Sequence, residues 1–267
     1  MYDKQSPFAV TSAPRRRDSL SEAAHATLQA AIIDCQLPPG SIVSEAELST
    51  RFAYGLATVR AAVIRLSAAG WIAPDGRRGS TILPISAAHL GDLIASRACL
   101  EPALLQHAPP SGLSDELRLR ATIYRTSTRQ AQAPNQQALL HQERALMLLV
   151  AQVIAAPRMR GWLIDTWDLC LRADRHMDQV FGISRDPLPL AELAIALADG
   201  DGPPALQILE QMRHAFDLRV TRALSRSATA LGTAQTSGQP LRRGTASAAA
   251  VRSGKPTRTR SAKGDSA

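Results

Sequence analysis

Apolar residues recur at helical spacing through the first quarter of the chain and predict three helices. The first helix begins at Ser19 and Glu22, which have the spacing of a capping box. It ends near Gln36, because residues 38–40 are Pro-Pro-Gly and cannot continue a helix. Its predicted buried face includes Leu28, Ala31 and Ile32.

Two shorter helices are predicted next. Ser44 and Glu47 repeat the capping-box spacing and begin the second helix. The third helix covers about 56–69 and stops before Gly70, where glycine favours the end of a helix. The inward face predicted for the third helix consists of Leu56, Val59, Val63 and Leu66.

A β-hairpin completes the first predicted domain. Two extended runs, 71–74 and 80–84, flank the turn-rich basic loop 75–79. Three helices followed by a basic hairpin predict a winged helix-turn-helix domain over residues 19–85.

Helical periodicity continues from Ser86 to about residue 224 and predicts a second, all-helical domain. Prolines and glycines divide this part into six helices, and helices of such length form a bundle. Their predicted ranges are about 86–107, 114–131, 135–155, 158–181, 190–199 and 204–223. The fold class is therefore mainly α, with a winged helix-turn-helix followed by an all-α bundle.

Charge is concentrated at the two ends of the chain. The net charge is +8, but residues 225–267 alone carry eight basic residues against one acidic residue. Residues 1–18 are also basic, and neither end has an apolar period, so both are predicted to be disordered. The folded middle is slightly acidic, and the high pI by itself does not indicate that this middle binds nucleic acid.

A local strip without acidic residues is more informative than the total charge. Between Glu47 and Asp75 the chain contains Arg51, Arg60 and Arg65 but no carboxylate. Arg77 and Arg78 extend the strip into the predicted wing. A helix fits the major groove of duplex DNA and a wing can carry arginines to phosphates, so the strip predicts a DNA-binding surface. Each arginine taken singly is equally compatible with ordinary solvated surface.

This region resembles the DNA-binding domain of the GntR regulators. The resemblance rests on Leu37-Pro38-Pro39-Gly40, Val43-Ser44-Glu45, Val59-Arg60, Gly70-Trp71-Ile72 and Arg78-Gly79. It implies DNA contacts from Arg51, Thr58, Arg60, Arg65, Arg77, Arg78 and Gly79.

The sequence also departs from the family pattern at the start of the recognition helix. Leu56 stands where the family has a DNA-contacting arginine, and Ala57 replaces a hydroxyl residue. Ala61 replaces a glutamate. These departures leave the operator sequence and affinity open, with Arg60 and the wing expected to supply most of the specific contact.

The helical part resembles the FCD effector domain that accompanies GntR DNA-binding domains. The resemblance rests on the Leu90-to-Glu101 segment, Ala156-Pro157, the 198–201 turn and Met212-Arg213-His214. It implies a homodimer that places two DNA-binding domains on a palindromic operator, and a small organic acid as effector, often bound around a divalent metal.

The metal ligands implied by that resemblance are mostly missing. His141 matches the first family histidine, but Gln137 stands where an aspartate or asparagine is usual. The later histidine positions correspond to Leu190 and Met212, and His214 is offset by two residues. One histidine is too few for a first-row metal, so neither a metal nor another cofactor is expected.

The helix predicted at 135–155 supplies candidates for effector binding. Arg97 and Arg144, together with His141, are expected to bind an anionic effector, because arginine suits bidentate capture of a carboxylate. The alternative is that these arginines form structural salt bridges, such as Arg97 with Glu101. Both interpretations stay open at the level of sequence.

Other function classes find little support. The chain lacks a Gly-x-Ser-x-Gly motif, a phosphate loop and a paired-histidine metal motif, so it is not expected to be an enzyme. The three cysteines are isolated, and there is no signal sequence or membrane-length apolar run, which together favour the bacterial cytoplasm. The expected function is a DNA-binding transcriptional repressor; the alternative is a protein-interaction module with a degenerate winged helix.

Overall fold

The chain is mainly helical over residues 16–76, 79–130 and 136–236, which are the residues that the structure, a computed structural model, describes. The first helices are α1 (Arg16–Ile33), α2 (Glu45–Phe52) and α3 (Leu56–Ala68). Three short strands accompany them, β1 (Ile42–Val43), β2 (Ile72–Pro74) and β3 (Ser80–Ile82). We call residues 20–82 the head.

Local chemistry explains where the helices of the head begin and end. Helix α1 ends three residues earlier than predicted, and the chain turns through Cys35, whose φ of 55° is left-handed. Helix α2 begins as predicted, with the Glu47 amide donating to Ser44 Oγ at 3.1 Å. Helix α3 stops before Gly70, whose φ of 77° suits a residue without a Cβ.

The three strands form an antiparallel sheet in the order β1-β3-β2. In this sheet Ile82 pairs with Ile72, and Val43 pairs with Ser80. Strand β1 was not predicted from the sequence. The head core is built from residues of all its helices and of the sheet, including Leu28, Ile32, Leu48, Val59, Leu66, Trp71 and Ile82.

Residues 83–86 connect β3 to a helical bundle, which we define as residues 87–229. Its helices are α4 (Ala87–Leu100), α5 (Ser111–Gln130), α6 (Gln136–Ala151), α7 (Pro157–Phe181), α8 (Leu190–Asp199) and α9 (Gly202–Thr236), with a 3₁₀ turn at Glu101–Leu105. Helix α5 packs against α6 and α8, while α7 packs against α4, α6 and α1 of the head. Head and bundle belong to one compact unit that ends at Thr229.

Two predicted boundaries in the bundle were wrong. Helix α4 stops at Leu100 instead of about His107, because Glu101-Pro102 enters the 3₁₀ turn. Helix α9 continues to Thr236, although a disordered tail was predicted from residue 225. No proline or glycine interrupts residues 205–231, so nothing in the sequence stops the helix at 224. The rest of that predicted tail and residues 1–15 lie outside the described residues.

Within the described part of the chain, no helix is both long and apolar enough to span a lipid bilayer.

Candidate nucleic-acid interface and junction cavity

Helix α3 buries one face in the head core and leaves the opposite face open to solvent. The buried residues are Val59, Ala62, Val63 and Leu66. The exposed residues include Leu56, Ala57, Arg60, Ile64, Arg65 and Ala68. This open face has the position that a recognition helix needs, because nothing in the described chain covers it.

Arg60 lies on the open face of α3, and its side chain is 60% exposed. Its Nε and Nη2 atoms both lie 2.9 Å from Glu45 Oε2 at the start of α2. The hydrogen bond that Arg60 donates to Glu45 raises the pKa of Arg60. Such exposed ion pairs contribute little to stability, so Arg60 can exchange Glu45 for a phosphate or a base edge.

The other predicted contacts of α2 and α3 are exposed or partly exposed. Arg51 Nη2 donates to the Gln36 carbonyl at 2.9 Å, and the guanidinium lies over the Phe52 ring. Arg65 Nη1 lies 2.5 Å from Glu22 Oε2, and that hydrogen bond lowers the pKa of Glu22. Thr58 is half-buried in the first turn of α3. Arg51 and Arg65 therefore also connect the helices of the head to one another.

The wing depends on Gly79 for its shape. The φ of Gly79 is 116°, and a Cβ there would collide with the carbonyl oxygen of Val43. The Gly79 carbonyl accepts from the Asp75 amide at 2.8 Å and closes the hairpin. The close approach to β1 is thus a structural requirement for glycine. Arg77 and Arg78, the predicted wing contacts, lie outside the described residues.

Two apolar residues on α3 are exposed against expectation. Leu56 was predicted to face inward, but it is 48% exposed. The helical wheel misplaced it because a first-turn residue has no preceding turn to fix its side. Ile64, which sequence reasoning missed, is 62% exposed. Ile64 helps to line the groove between α3 and the wing, together with Val63, Ser67 and Gly79.

A second feature is a cavity of about 150 Å³ at the junction between head and bundle. Its wall combines the end of α1, the start of α6, the middle of α7 and the loop after α7. The charged residues in the wall are Arg144, Arg175, Arg185, Asp34, Glu143, Asp174 and Asp178. His141, predicted as an effector contact or else a core histidine, is an exposed residue in this wall.

The arginines in the cavity wall are paired with carboxylates to different degrees. Arg144 binds Asp168 through two hydrogen bonds of 2.7 Å, which raise the pKa of Arg144. Arg185 contacts both carboxylate oxygens of Glu143 and lies 3.1 Å from Asp174. Arg175 has the longest of these contacts, at 3.4 Å from Asp34, the residue that follows α1. The last pair joins the bundle to the head.

Three of the wall residues, Glu143, Asp174 and Arg185, belong to a buried polar network that the sequence did not predict. Burial raises the pKa of Asp174, although Arg219 and Arg185 oppose the shift. The Tyr124 hydroxyl lies 3.0 Å from Glu143, and burial together with that carboxylate raises the pKa of Tyr124. The sequence contains one signal of this network. Asp174 is a charged residue at a position of α7 where the helical spacing, between Leu171 and Met177, predicts an apolar one.

Arg97 does not line the cavity with His141 and Arg144. It is buried beneath α9, where Arg97 Nε donates to Glu101 Oε1 at 2.7 Å and the guanidinium lies over the Phe216 ring. Glu101 also accepts from Trp167 and from Arg213, each at 3.0 Å. Of the three predicted effector contacts, the structure therefore brings two together and places the third in a separate ion-pair cluster.

Arg172 marks the contact between α7 and the head. Its Nη2 donates to the Leu83 carbonyl just after β3, while Nε and Nη1 have no partner among the described residues. The side chain is buried, which lowers the pKa of Arg172. The Cys35 thiol donates to the Arg172 carbonyl at 3.6 Å. The end of α1 and the base of the wing thus both contact the middle of α7.

The predicted metal positions are dispersed. Leu190 and Met212 are buried apolar residues, whereas His141 and His214 are exposed. Across the described ranges, no three His, Cys, Asp or Glu side chains are grouped so that they could hold a metal ion. These residues do not fit the ligand set that the FCD resemblance implied.

Comparisons with known proteins support the winged helix-turn-helix fold of the head. Residues 20–82 match the model of the bacterial regulatory proteins of the gntR family. No curated protein sequence matches the chain. A transcriptional regulator GntR from Rhodococcus sp. RHA1 is similar in structure, with a TM-score of 0.59 and 18% identity over 77% of this chain and 99% of its own. E. coli McbR/YncC is similar with the same TM-score and 13% identity, over 76% of this chain and 97% of its own.

Proposed function

We propose that this chain, whose residues 20–82 form a GntR-family winged helix-turn-helix domain, is a homodimeric repressor that binds a palindromic operator. The exposed Arg60 on the open face of α3, beside the wing, carries this proposal. A two-fold dimer presents two such faces, and a palindromic site repeats the same base pattern under the same symmetry.

The open face of α3 would enter the major groove, and Arg60 would leave Glu45 to contact a base edge or a phosphate. Glu45 itself lies at the start of α2, beside this surface. The Arg60 side chain is already exposed, so the exchange requires only a change of its partner. The strip from 48 to 74 offers no other carboxylate to repel the DNA backbone.

The test is a binding experiment with the full chain and randomised duplexes, followed by sequencing of the bound fraction. An enriched palindrome is expected. On that site, Arg60→Ala should lower affinity by roughly ten- to a hundredfold, as for loss of one base-contacting arginine. Arg120→Ala is the matched control, since Arg120 is 59% exposed on the bundle and paired only at 3.9 Å with Glu116. Equal affinity of Arg60→Ala and wild type would contradict the assignment.

We further propose that the bundle is an FCD-type domain and that its effector, a small organic acid, binds in the junction cavity. His141, Arg144 and Arg175 lie together in the wall. Arg144 is held by two short bonds, whereas Arg175 has a single 3.4 Å contact with Asp34. An effector carboxylate would therefore compete with Asp34 for Arg175.

That competition would couple the effector to DNA binding. Asp34 lies in the head, directly after α1, and Arg175 belongs to α7 of the bundle. When a ligand carboxylate replaces Asp34, one of the contacts that fix the head against the bundle is lost. The two heads of the dimer would then change their relative placement, and operator affinity would fall.

A thermal-shift screen of small mono- and dicarboxylates tests the cavity. A binding acid should raise the melting temperature of the wild type, and less so that of His141→Ala. His214→Ala is the control, because His214 is exposed on α9, away from the cavity wall. Asp34→Asn should weaken operator binding without ligand and reduce the further effect of the acid. An acid that raises the melting temperature of the wild type and of all variants equally would contradict binding in the junction cavity.

The alternative function is a protein-interaction module that has lost specific DNA binding. The exposed apolar side chains of Leu56 and Ile64 on α3 favour it, because such residues also occur in protein interfaces. Absence of any enriched sequence in the randomised-duplex experiment would support this alternative.

A further inference from the structure

The open face of α3 is largely apolar, with Arg60 among its apolar residues and Arg65 at its edge. By helical spacing, Ala57, Arg60, Ala61, Ile64 and Ala68 share the side opposite the buried residues. Leu56 flanks them in the first turn. Ile64 is the most exposed of the large apolar residues noted in the described chain, at 62%. None of these side chains contributes to the head core.

We propose that Leu56 and Ile64 contact the 5-methyl groups of thymines in the operator. The proposal rests on the DNA-binding function proposed above and adds what the helix recognises. Among the groups that the four base pairs present in the major groove, the thymine methyl is the apolar one. An apolar side chain that enters the groove gains free energy by covering such a methyl and cannot hydrogen-bond to the other edge groups.

The charges around this face favour DNA over a second protein surface. Arg51 and Arg65 are further exposed cations of the head, and Arg60 lies within the apolar face itself. The carboxylate at the start of α2, that of Glu45, is already paired with Arg60. A second copy of this face would bring like charges together, whereas a phosphate backbone on both sides of the groove complements them.

The spacing predicts where the thymines lie. Residues 56 and 64 are separated by eight helical steps, or roughly 12 Å along the axis at 1.5 Å per residue. At about 3.4 Å per base pair, this corresponds to roughly three to four pairs when the helix follows the groove. Each half-site should therefore contain two methyl-dependent A·T positions with about that separation.

Replacement of thymine by deoxyuracil tests the proposal, because it removes only the methyl group. Each thymine of the enriched site is replaced in turn, and affinity is measured with the full chain. At two positions per half-site, the wild type should bind roughly three- to fivefold more weakly, the value for one buried methyl-sized group. For Ile64→Ala, deoxyuracil at one of these positions should no longer weaken binding. For Leu56→Ala, the same should hold at the other position.

Ile123→Ala is the control, because Ile123 is a comparably exposed apolar residue on α5 of the bundle, at 44%. It should retain the full uracil effect at both positions. Equal binding of every uracil-substituted site by the wild type would overturn the proposal while leaving the regulator function intact. A change of oligomeric state in Ile64→Ala would also overturn it, because the face would then be a contact between copies. Failure to enrich any sequence would instead refute the proposed function itself.

Discussion

Two arginines of the head and three arginines of the bundle lie in opposite environments. In the head, Arg60 and Arg65 are exposed, and each pairs with one carboxylate that is itself partly exposed. In the bundle, Arg97, Arg185 and Arg219 are nearly enclosed and bind carboxylates that are almost fully buried. The same residue type therefore forms replaceable surface pairs on the head and permanent internal pairs inside the bundle, whose surface also carries exposed pairs such as Arg120 with Glu116.

This difference decides which arginines are available to bind a ligand. An exposed pair gives up little when a phosphate replaces the carboxylate, since both ions stay hydrated. A buried pair cannot be opened without leaving an uncompensated charge inside the protein. The arginines of α3 thus suit binding to DNA, whereas Arg97 suits only the stability of the bundle. Arg175 lies between these limits. We therefore propose that the effector carboxylate replaces Asp34 at this arginine.

The largest expected effect comes from removal of a buried counter-charge. Glu101→Gln leaves Arg97 and Arg213 without their carboxylate at a site that solvent does not reach. The free energy of unfolding should fall by about 3–5 kcal/mol, measured by urea denaturation. Glu116→Gln, at a half-exposed partner of Arg120, should cost about 0.5 kcal/mol or less. If both variants lost the same free energy of unfolding, burial would not determine how much these ion pairs contribute to stability.

Arg172 is the buried arginine without a carboxylate, and its replacement should stabilise the protein. Arg172→Met removes a cation whose Nε and Nη1 atoms have no partner in the described chain and keeps most of the side-chain volume. We expect the free energy of unfolding to rise by about 1–4 kcal/mol, towards the lower value because the Leu83 carbonyl loses its donor. Arg175→Met, at a paired and less buried site, should give no increase. A loss of stability in Arg172→Met would mean that water or an anion satisfies Arg172 in solution.

Two histidines near Arg172 should make stability depend on pH. Burial, and then the charge of Arg172, lowers the pKa of both His89 and His176. The unfolded chain, where histidine titrates near about 6.5, then binds more protons than the folded protein. The free energy of unfolding should accordingly fall as the pH drops below that value and level off below the lowered pKa.

The double variant His89→Gln, His176→Gln isolates this effect. Urea denaturation at a series of pH values from neutral to mildly acidic should show a smaller decline than in the wild type. The raised pKa of Asp174 acts with the opposite sign, but it is present in both proteins and cancels in the comparison. Parallel curves for the two proteins would exclude a contribution from these histidines.

Removal of an exposed head arginine should change stability only a little. Arg65→Ala removes an exposed pair with Glu22 and should change the free energy of unfolding by only about 0.2–1 kcal/mol. If Arg65 contacts a phosphate, the slope of log affinity against log salt should decrease by about one. A large loss of stability with an unchanged salt slope would place Arg65 among the structural arginines instead.

Local sequence signals predicted the elements of the head but not their partners. The cap predicted at Ser44 is confirmed by the hydrogen bond that its side chain accepts from the Glu47 amide, and Ser86 accepts from the His89 amide at the start of α4 in the same way. On α9, Met212 and Phe216 fall at helical spacing and are both buried. Strand β1 escaped prediction because two residues have no detectable period.

The cavity depends on pairs that are distant in sequence. Arg144 meets Asp168 on another helix, and Arg175 meets Asp34 of the head. No spacing rule connects such residues, so the sequence indicated arginines capable of binding an anion but not which of them were already occupied. Arg185, in a loop that offered no pattern, is one of the most enclosed charges in the cavity wall.

The four residues between Ile82 and Ala87 limit how far the head can travel. Even fully extended, such a segment reaches only about 14 Å. Arg172 fastens its first residue, Leu83, to the middle of α7 and shortens the free part further. A ligand in the cavity can therefore change the orientation of the head but cannot move the head far from the bundle. Loss of specific binding would then come from a changed angle between two recognition helices, while both remain close enough to hold DNA non-specifically.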